Sequence, residues 1–325
     1  MNILLTGGAG FVGSNLCEKL LVNSDYTIGC IDNFNDNYDP SVKRKNINDF
    51  NTFKRFTLYE GDILDKSFLH QVFASGSFDL VIHLAAMTGV RPSVEDPTTY
   101  FNVNVIGTLN ILEVMKKNNI KNMIFASSSS LYGNNRKVPF SEQDNVDYPI
   151  SPYAASKKAC ELLCYTYHHL YNFNINCLRF FTVYGPKQRP DLAIYMFTKA
   201  LFNDEPIYVF GDGFSFRDYT HIDDIVHGII NSIERLNGYN IYNLGESNTI
   251  SILELIHFLE KYTEKTAKIN FLPMQAGDVY QTYADIEKAK VQLGYSPKIS
   301  LEHGLNQFVN WYKSNVLECN ISFFC

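Results

Sequence analysis

The chain holds little of several things. Its 325 residues include 28 lysines and arginines against 34 aspartates and glutamates, a formal net charge of −6. The basic residues are scattered, apart from short runs such as Lys43-Arg44-Lys45. A nucleic-acid partner is not expected, because phosphate backbones require a basic surface. A small anionic ligand stays open, since it needs only a few local cations or a helix N-terminus. No apolar run nears the roughly 20 residues that cross a bilayer, so no membrane partner is expected. The opening stretch Met1-Asn2-Ile3-Leu4-Leu5-Thr6 has no basic segment and runs into glycines. A secretion leader is therefore not expected, and the cytoplasm is the expected location. Cys17, Cys30, Cys160, Cys164, Cys177, Cys319 and Cys325 show no Cys-x-x-Cys spacing, which predicts reduced thiols. The eight histidines lack ligand spacing as well, and no metal site is expected.

What is present is apolar and aromatic. Hydrophobic residues make up 46% of the chain and aromatics 14%, enough for a large core, and the length suits two packed lobes. Residues 2–6 read as a short buried strand. Thr6-Gly7-Gly8-Ala9-Gly10-Phe11-Val12-Gly13 follows, then a helical period from Ser14 to Val22. A second strand, Tyr26 to Ile31, ends at Asp32. Gly7, Gly10 and Gly13 permit a tight turn and let backbone amides approach a pyrophosphate at the helix N-terminus. Asp32 stands nineteen residues after Gly13, where a carboxylate accepts from adenosine ribose hydroxyls and repels a 2′-phosphate, favouring NAD. Phe11, Val12, Asn33, Ile63, Leu84, Ala85 and Ala86 fall beside the same turn or at neighbouring strand ends. Asp62 either bonds the adenine amine or caps the helix that starts near Asp65.

Strands and helices alternate over at least the first 180 residues, as a doubly wound parallel sheet requires. Met123-Ile124-Phe125-Ala126 delivers Ser127-Ser128-Ser129-Ser130 at a strand's C-terminal end, the side on which such sheets hold ligands. Tyr153 and Lys157 follow, four apart and so on one helix face. A nearby ammonium favours the phenolate of a tyrosine. A serine at the same point steers a substrate alcohol, which equips the site to take a proton as hydride leaves the same carbon.

Together these pieces resemble the extended short-chain dehydrogenase/reductase superfamily, its nucleotide-sugar branch, and there the UDP-sugar 4-epimerases. The resemblance runs from residue 2 to about 313. It is carried by the glycine turn, Asp32-Asn33, Gly61-Asp62, His83-Leu84-Ala85-Ala86, Ser127 to Gly133, Tyr153 to Lys157, Arg179 to Pro186, Arg217-Asp218-Tyr219 and Gly277-Asp278. It implies a Rossmann domain over residues 1–180 with a return segment at about 208–245. Residues 181–207 and 246–325 are then a smaller α/β lobe for the UDP-sugar. Dehydratases and decarboxylases of this branch carry acidic residues after the first Ser/Thr, whereas no carboxylate falls between residues 127 and 133 here. Asp32 to Pro40, Arg179 to Pro186 and Gln188-Arg189-Pro190-Asp191 look most like UDP-glucuronate 4-epimerases.

The implied catalytic residues are Tyr153, Lys157, Ser128 and Ser130. Ser128 to Ser130 and Thr182 are placed to bond a C6 carboxylate. Arg189 supplies a countercharge, or is a loop salt bridge. Arg217 is implied at the pyrophosphate, with Gln275 near it, and Asp278 at the uridine ribose. Tyr208 or Phe210 lies against uracil, or belongs to a core strand. Thr282 stands where glucose-specific enzymes carry a bulky Tyr, so UDP-glucose and N-acetylated sugars stay open. Helices Tyr100–Lys117 and Tyr153–Tyr171 are implied to form a homodimer's four-helix bundle.

Overall fold

The computed structural model describes residues 1–275 and 277–318. Cys319 and Cys325 lie outside the described residues. Lys313–Leu317 forms a helical turn.

Six strands follow one another through the first 180 residues: β1 (Asn2–Thr6), β2 (Thr27–Asp32), β3 (Phe56–Glu60), β4 (Leu80–His83), β5 (Asn122–Ser128) and β6 (Asn174–Phe180). A seventh main-sheet strand, Tyr239–Leu244, completes the order Tyr239–Leu244, β6, β5, β4, β1, β2, β3, all in parallel. The chain grows from β1 toward β3, then restarts at β4 on the other side of β1. That reversal leaves a crevice at the C-terminal ends of β1 and β4. Both faces are covered, and the strands alternate between them. Ile3 and Leu5 join one core with Phe11, Leu16 and Ile225, while Leu4 joins the other with Ile111 and Cys160.

Local signals set the helix starts. Asp65 accepts from the Phe68 N–H at 3.0 Å and begins the helix Lys66–Ser75. Ser151 caps the 20-residue helix Pro152–Tyr171, with Pro152 in the first turn, where its missing N–H costs nothing. The helix expected from Tyr100 to Lys117 is instead interrupted. Phe101–Ile106 is a π turn between Pro97–Tyr100 and Gly107–Lys117. Such turns put an extra residue into the helix and commonly sit at functional sites.

A third core, built on Ile194, Leu201, Leu255, Leu259 and Phe308, forms the second lobe. The strand Pro206–Phe210 pairs with Lys268–Leu272, not with the main sheet. The segment that returns to the main sheet is therefore Ile222–Leu244, later than the expected 208. The run Ile207 to Phe210 names no partner in its own sequence, because pairing across about sixty residues is decided only by folding.

Candidate functional site

The crevice between β1 and β4 is an open cleft lined by Gly7, Gly10, Asp32, Asp62, Ala85 and Arg189, among others. Its floor is backbone. A Cβ on Gly13 would stand 2.2 Å from the Gly7 carbonyl oxygen and 2.7 Å from the Gly8 Cα. On Gly7, whose φ is +72°, it would stand 2.7 Å from the Ala85 N. Only glycine lets the turn close this far. Phe11, Val12, Asn33, Ile63, Leu84 and Ala86 line the same cleft.

Asp32 is almost fully buried at the end of β2. Its carboxylate accepts from the Ala9 N–H at 3.0 Å and the Phe34 N–H at 2.9 Å, which locks its orientation toward the cleft. Burial raises its pKa and those two N–H groups oppose the rise. Both nearby cations are engaged by the protein itself. Arg44 forks onto Glu60 at 3.1 and 2.6 Å, and Lys43 donates to the Asn35 carbonyl at 2.8 Å. Arg44 is thus neutralised by Glu60, and the Asp32 carboxylate in the cleft would repel a 2′-phosphate, which fits NAD. Asp62 does not cap a helix, because Asp65 does; it accepts from Leu64 N–H and from Asn33 Nδ2 at 2.9 Å.

The serine run ends β5. Ser128 Oγ donates to Ser130 Oγ at 3.1 Å and accepts the Ser130 N–H at 3.1 Å, so these two hydroxyls are aligned as a pair. Ser129 is buried beside them. Ser127 turns the other way and donates to Glu161 at 2.6 Å, where Arg179 forks onto the same carboxylate at 2.9 and 2.8 Å. This buried pair ties β5 and β6 to the helix that carries Tyr153 and Lys157.

Lys157 is buried and its ammonium donates to the Ala126 carbonyl at 2.7 Å. Burial lowers its pKa. For Tyr153 burial dominates and raises the pKa; the Ser128 hydroxyl and Arg189 are the groups that pull it down. That differs from the expected dominance of Lys157, whose ammonium is turned onto a backbone carbonyl. The Tyr153 backbone carbonyl accepts from Ser156 Oγ at 2.8 Å, and Ser156 accepts from Asn104 in the π turn at 2.9 Å. Asn104 also clamps Met87 through both its backbone groups, at 2.8 and 3.0 Å. Tyr100 stands edge-on to Tyr153 with centroids 6.2 Å apart.

Arg189 forks onto Asp191 at 2.9 and 2.6 Å and also bonds the Thr88 hydroxyl. It is thus a salt-bridged residue, but one partly buried in the cleft wall. In the second lobe, Ile207 and Val209 point into the core while Tyr208 is 52% exposed and Phe210 faces out. The strand is a core strand through Ile207 and Val209, while the alternation puts Tyr208 and Phe210 on its other face. Arg217 donates to the Phe216 and Tyr280 carbonyls at 2.9 and 3.2 Å. Asp278 pairs with Arg91 at 2.8 Å, and the Arg91 guanidinium lies 4.3 Å from the Phe210 ring centroid. Gln275 accepts the Asp278 N–H through its carbonyl at 3.4 Å. The Thr182 N–H donates to the Asp218 carbonyl at 3.0 Å, and the buried Thr282 hydroxyl accepts the Asp218 N–H at 3.2 Å.

Sequence reasoning missed Arg91, Asn104 and Tyr100. Arg91 follows Gly89-Val90 at the start of a short helix, Val90–Glu95, and only folding brings it to Asp278. Asn104 gave no signal, since a π turn has no composition of its own. Among the described residues there is no cluster of His, Cys, Asp and Glu fit to hold a metal, and no helix long and apolar enough to cross a membrane.

A dinucleotide-type glycine turn at the switch point of a parallel sheet, facing a Tyr-x-x-x-Lys helix, is the arrangement of the short-chain dehydrogenase/reductase class. Within that class the chain belongs to the family described as GDP-mannose 4,6 dehydratase, whose model matches residues 4–308. It is 46% identical to a UDP-glucuronate 4-epimerase of Thermodesulfobacterium geofontis over 314 residues, 96% of each chain. The structure of UDP-glucuronic acid 4-epimerase from Bacillus cereus, in complex with UDP-glucuronic acid and NAD, superposes with a TM-score of 0.91. It is 39% identical and covers 97% of this chain and 99% of its own. The Thermotoga maritima UDP-glucose 4-epimerase, with UDP-glucose, matches at 0.90 and 33% identity, covering 97% of this chain and 100% of its own.

Proposed function

We infer that this chain is an NAD-dependent 4-epimerase of a UDP-hexose, interconverting UDP-glucuronate and UDP-galacturonate. The observation that carries the reading is the end of β5. There the Ser128 and Ser130 hydroxyls are paired at 3.1 Å, the strand is tied by Lys157 to the helix that carries Tyr153, and no carboxylate falls between residues 127 and 133. Dehydration needs a second acid/base there; epimerisation at C4 needs one base.

Gly7, Gly10 and Gly13 hold the NAD pyrophosphate, with Phe11 and Val12 in the same turn. Asp32 meets the adenosine ribose, and Asp62, Ile63, Asn33 and Leu84 to Ala86 line the rest. NAD, when bound, supplies reversible hydride uptake at C4. Ser128 orients the sugar O4 and Ser130 supports Ser128. Tyr153 takes the O4 proton and later returns it. Lys157 ties the Tyr153 helix to β5 through the Ala126 carbonyl. Positioning dominates, because proton and hydride leave one centre together.

Arg217, Asp278, Gln275, Tyr208 and Phe210 clamp UDP, with Arg91 completing a two-arginine charge around Asp278. The 4-keto sugar turns about its UDP anchor, so the ketone can present either face. Ser129, Ser130 and Thr182 donate to the C6 carboxylate. Arg189, charged and partly buried in the wall, supplies the countercharge.

The test is to mix purified protein with UDP-glucuronate, without added cofactor, and to follow the products by NMR. UDP-galacturonate is expected. Its failure to form, beside rapid exchange of UDP-glucose with UDP-galactose or of the N-acetylated pair, would overturn the substrate.

We further propose a homodimer through the helices Pro97–Lys117 and Pro152–Tyr171. Leu162, Tyr165 and Leu170 are 56%, 52% and 57% exposed on the second, a face that one sheet does not cover. Leu162→Glu is expected to yield monomers by light scattering; an unchanged mass would refute the interface. The buried thiols Cys17, Cys30, Cys160, Cys164 and Cys177 support a cytoplasmic enzyme.

A further inference from the structure

Asp218 follows Arg217 in sequence and is wholly buried. Its side chain does not reach the ligand cleft. Its carboxylate instead collects donors from three separate stretches of chain. Oδ1 accepts from the Glu246 N–H at 2.8 Å and from the Thr220 hydroxyl at 3.2 Å. Oδ2 accepts from the Ser247 N–H at 3.1 Å and the Ala284 N–H at 3.0 Å. Its backbone makes two more links. The Asp218 carbonyl accepts the Thr182 N–H at 3.0 Å, and its N–H donates to the Thr282 hydroxyl at 3.2 Å. The approach depends on Gly245, where a Cβ would stand 3.2 and 3.3 Å from the two carboxylate oxygens.

The segments joined in this way are those given to the substrate. Thr182 and Thr282 are the candidate walls of the sugar pocket. Residues 280–284 share their strand of chain with Asp278, and Tyr280 holds Arg217 through its carbonyl at 3.2 Å. A carboxylate with both oxygens doubly bonded is a rigid four-point tie. The isosteric amide cannot copy it, since its nitrogen would face two donors. Leaving buried donors unpaired is costly, so the segments separate instead.

We propose that Asp218 is the positioning residue that sets the spacing of the UDP-sugar pocket, holding Thr182, Thr282 and the Arg217 backbone in register. This rests on the UDP-sugar reading above. The glycine turn and the Tyr153 helix do not touch Asp218, so its loss acts on substrate binding alone.

The test compares wild type with Asp218→Asn. KM for UDP-glucuronate is expected to rise at least tenfold and the Kd for UDP, by calorimetry, to rise in parallel. The value of kcat stays within about threefold, and the NAD content of the purified protein stays unchanged. A residue that only supports the fold would lower the melting temperature and the active fraction, leaving KM and the UDP Kd in place; that result overturns the proposal. Thr220→Val removes a single donor from the same carboxylate in a buried, near-isosteric way. A two- to threefold rise in KM is expected from it, and an unchanged KM in Thr220→Val counts against the proposal if Asp218→Asn does not fold. Should wild type bind UDP yet leave UDP-glucuronate unconverted, the substrate reading fails. The UDP Kd of the Asp218→Asn variant then still decides the positioning role. Wild type that does not bind UDP overturns both.

Discussion

The ammonium of Lys157 donates to the carbonyl of Ala126, the residue two before Ser128, at 2.7 Å. One bond thus joins the helix of the proposed base to the strand that delivers its serine partner. Lys157 also lies 4.9 Å from the Phe125 ring centroid on the same strand. Tyr153 and Ser128 therefore keep their spacing through Lys157, before any charge effect on the phenol.

Tyr153→Phe keeps the ring and removes the hydroxyl. A well-placed base is worth about 10² to 10⁴ in rate, so kcat should fall about a thousandfold in an NMR-monitored conversion. The NAD content released on denaturation should match wild type. A variant within tenfold of wild type would remove Tyr153 from the chemistry.

Arg189 lowers the Tyr153 pKa, so Arg189→Met raises it. The base is then ionised only at higher pH, and the ascending limb of kcat/KM against pH must move to the alkaline side. Loss of a charge-assisted contact to the carboxylate adds a fall of about 10- to 100-fold in kcat/KM for UDP-glucuronate. UDP-glucose, which has no carboxylate, should be spared that second loss. An acid-side shift, or equal losses on both sugars, would argue against this role.

Gly13→Ala puts a methyl carbon 2.2 Å from the Gly7 carbonyl oxygen. Backbone atoms cannot yield there, so the turn must open and the pyrophosphate site is lost. The purified variant should carry less than about a tenth of the wild-type NAD, since a loss of more than about 1.4 kcal/mol is tenfold in binding. Nucleotide released on heating measures it. Full occupancy would mean the cofactor lies elsewhere.

Glu246 has an unpartnered, buried Oε2, and burial with Asp224 and Asp218 nearby raises its pKa to about 7. Unfolded, the same group titrates near 4.3. Between these values the folded state holds a proton that the unfolded state has lost, so stability falls as pH rises through the window. Glu246→Gln removes that penalty. The side chain is partly open to solvent, and screening reduces the full shift to a gain of about 1 kcal/mol at pH 8. Melting temperature should rise by about 2 °C at pH 8, with no difference at pH 4.5. An equal gain at both pH values would point to packing, not charge.

Much of this molecule is legible residue by residue. The glycine turn and Asp32 are local, because a strand, a tight turn and a helix occur within about thirty residues. Tyr153 and Lys157 share a face by helical period alone, and Ser151-Pro152 marks the start of their helix. The alternation of strands and helices dictates a parallel sheet, and the missing carboxylate between residues 127 and 133 is a fact of sequence. What needed folding is long-range. Arg91 meets Asp278 across 187 positions of chain. The strand Pro206–Phe210 finds its partner at Lys268–Leu272 and so leaves the main sheet, moving the domain boundary. Asn104 gains its place from a π turn that no composition announces. Whether Arg189 faces solvent or lines the cleft, and which group acts on Tyr153, depends on burial and on distance between segments. Neither quantity is written in any one stretch of the chain, because both arise only when the lobes pack.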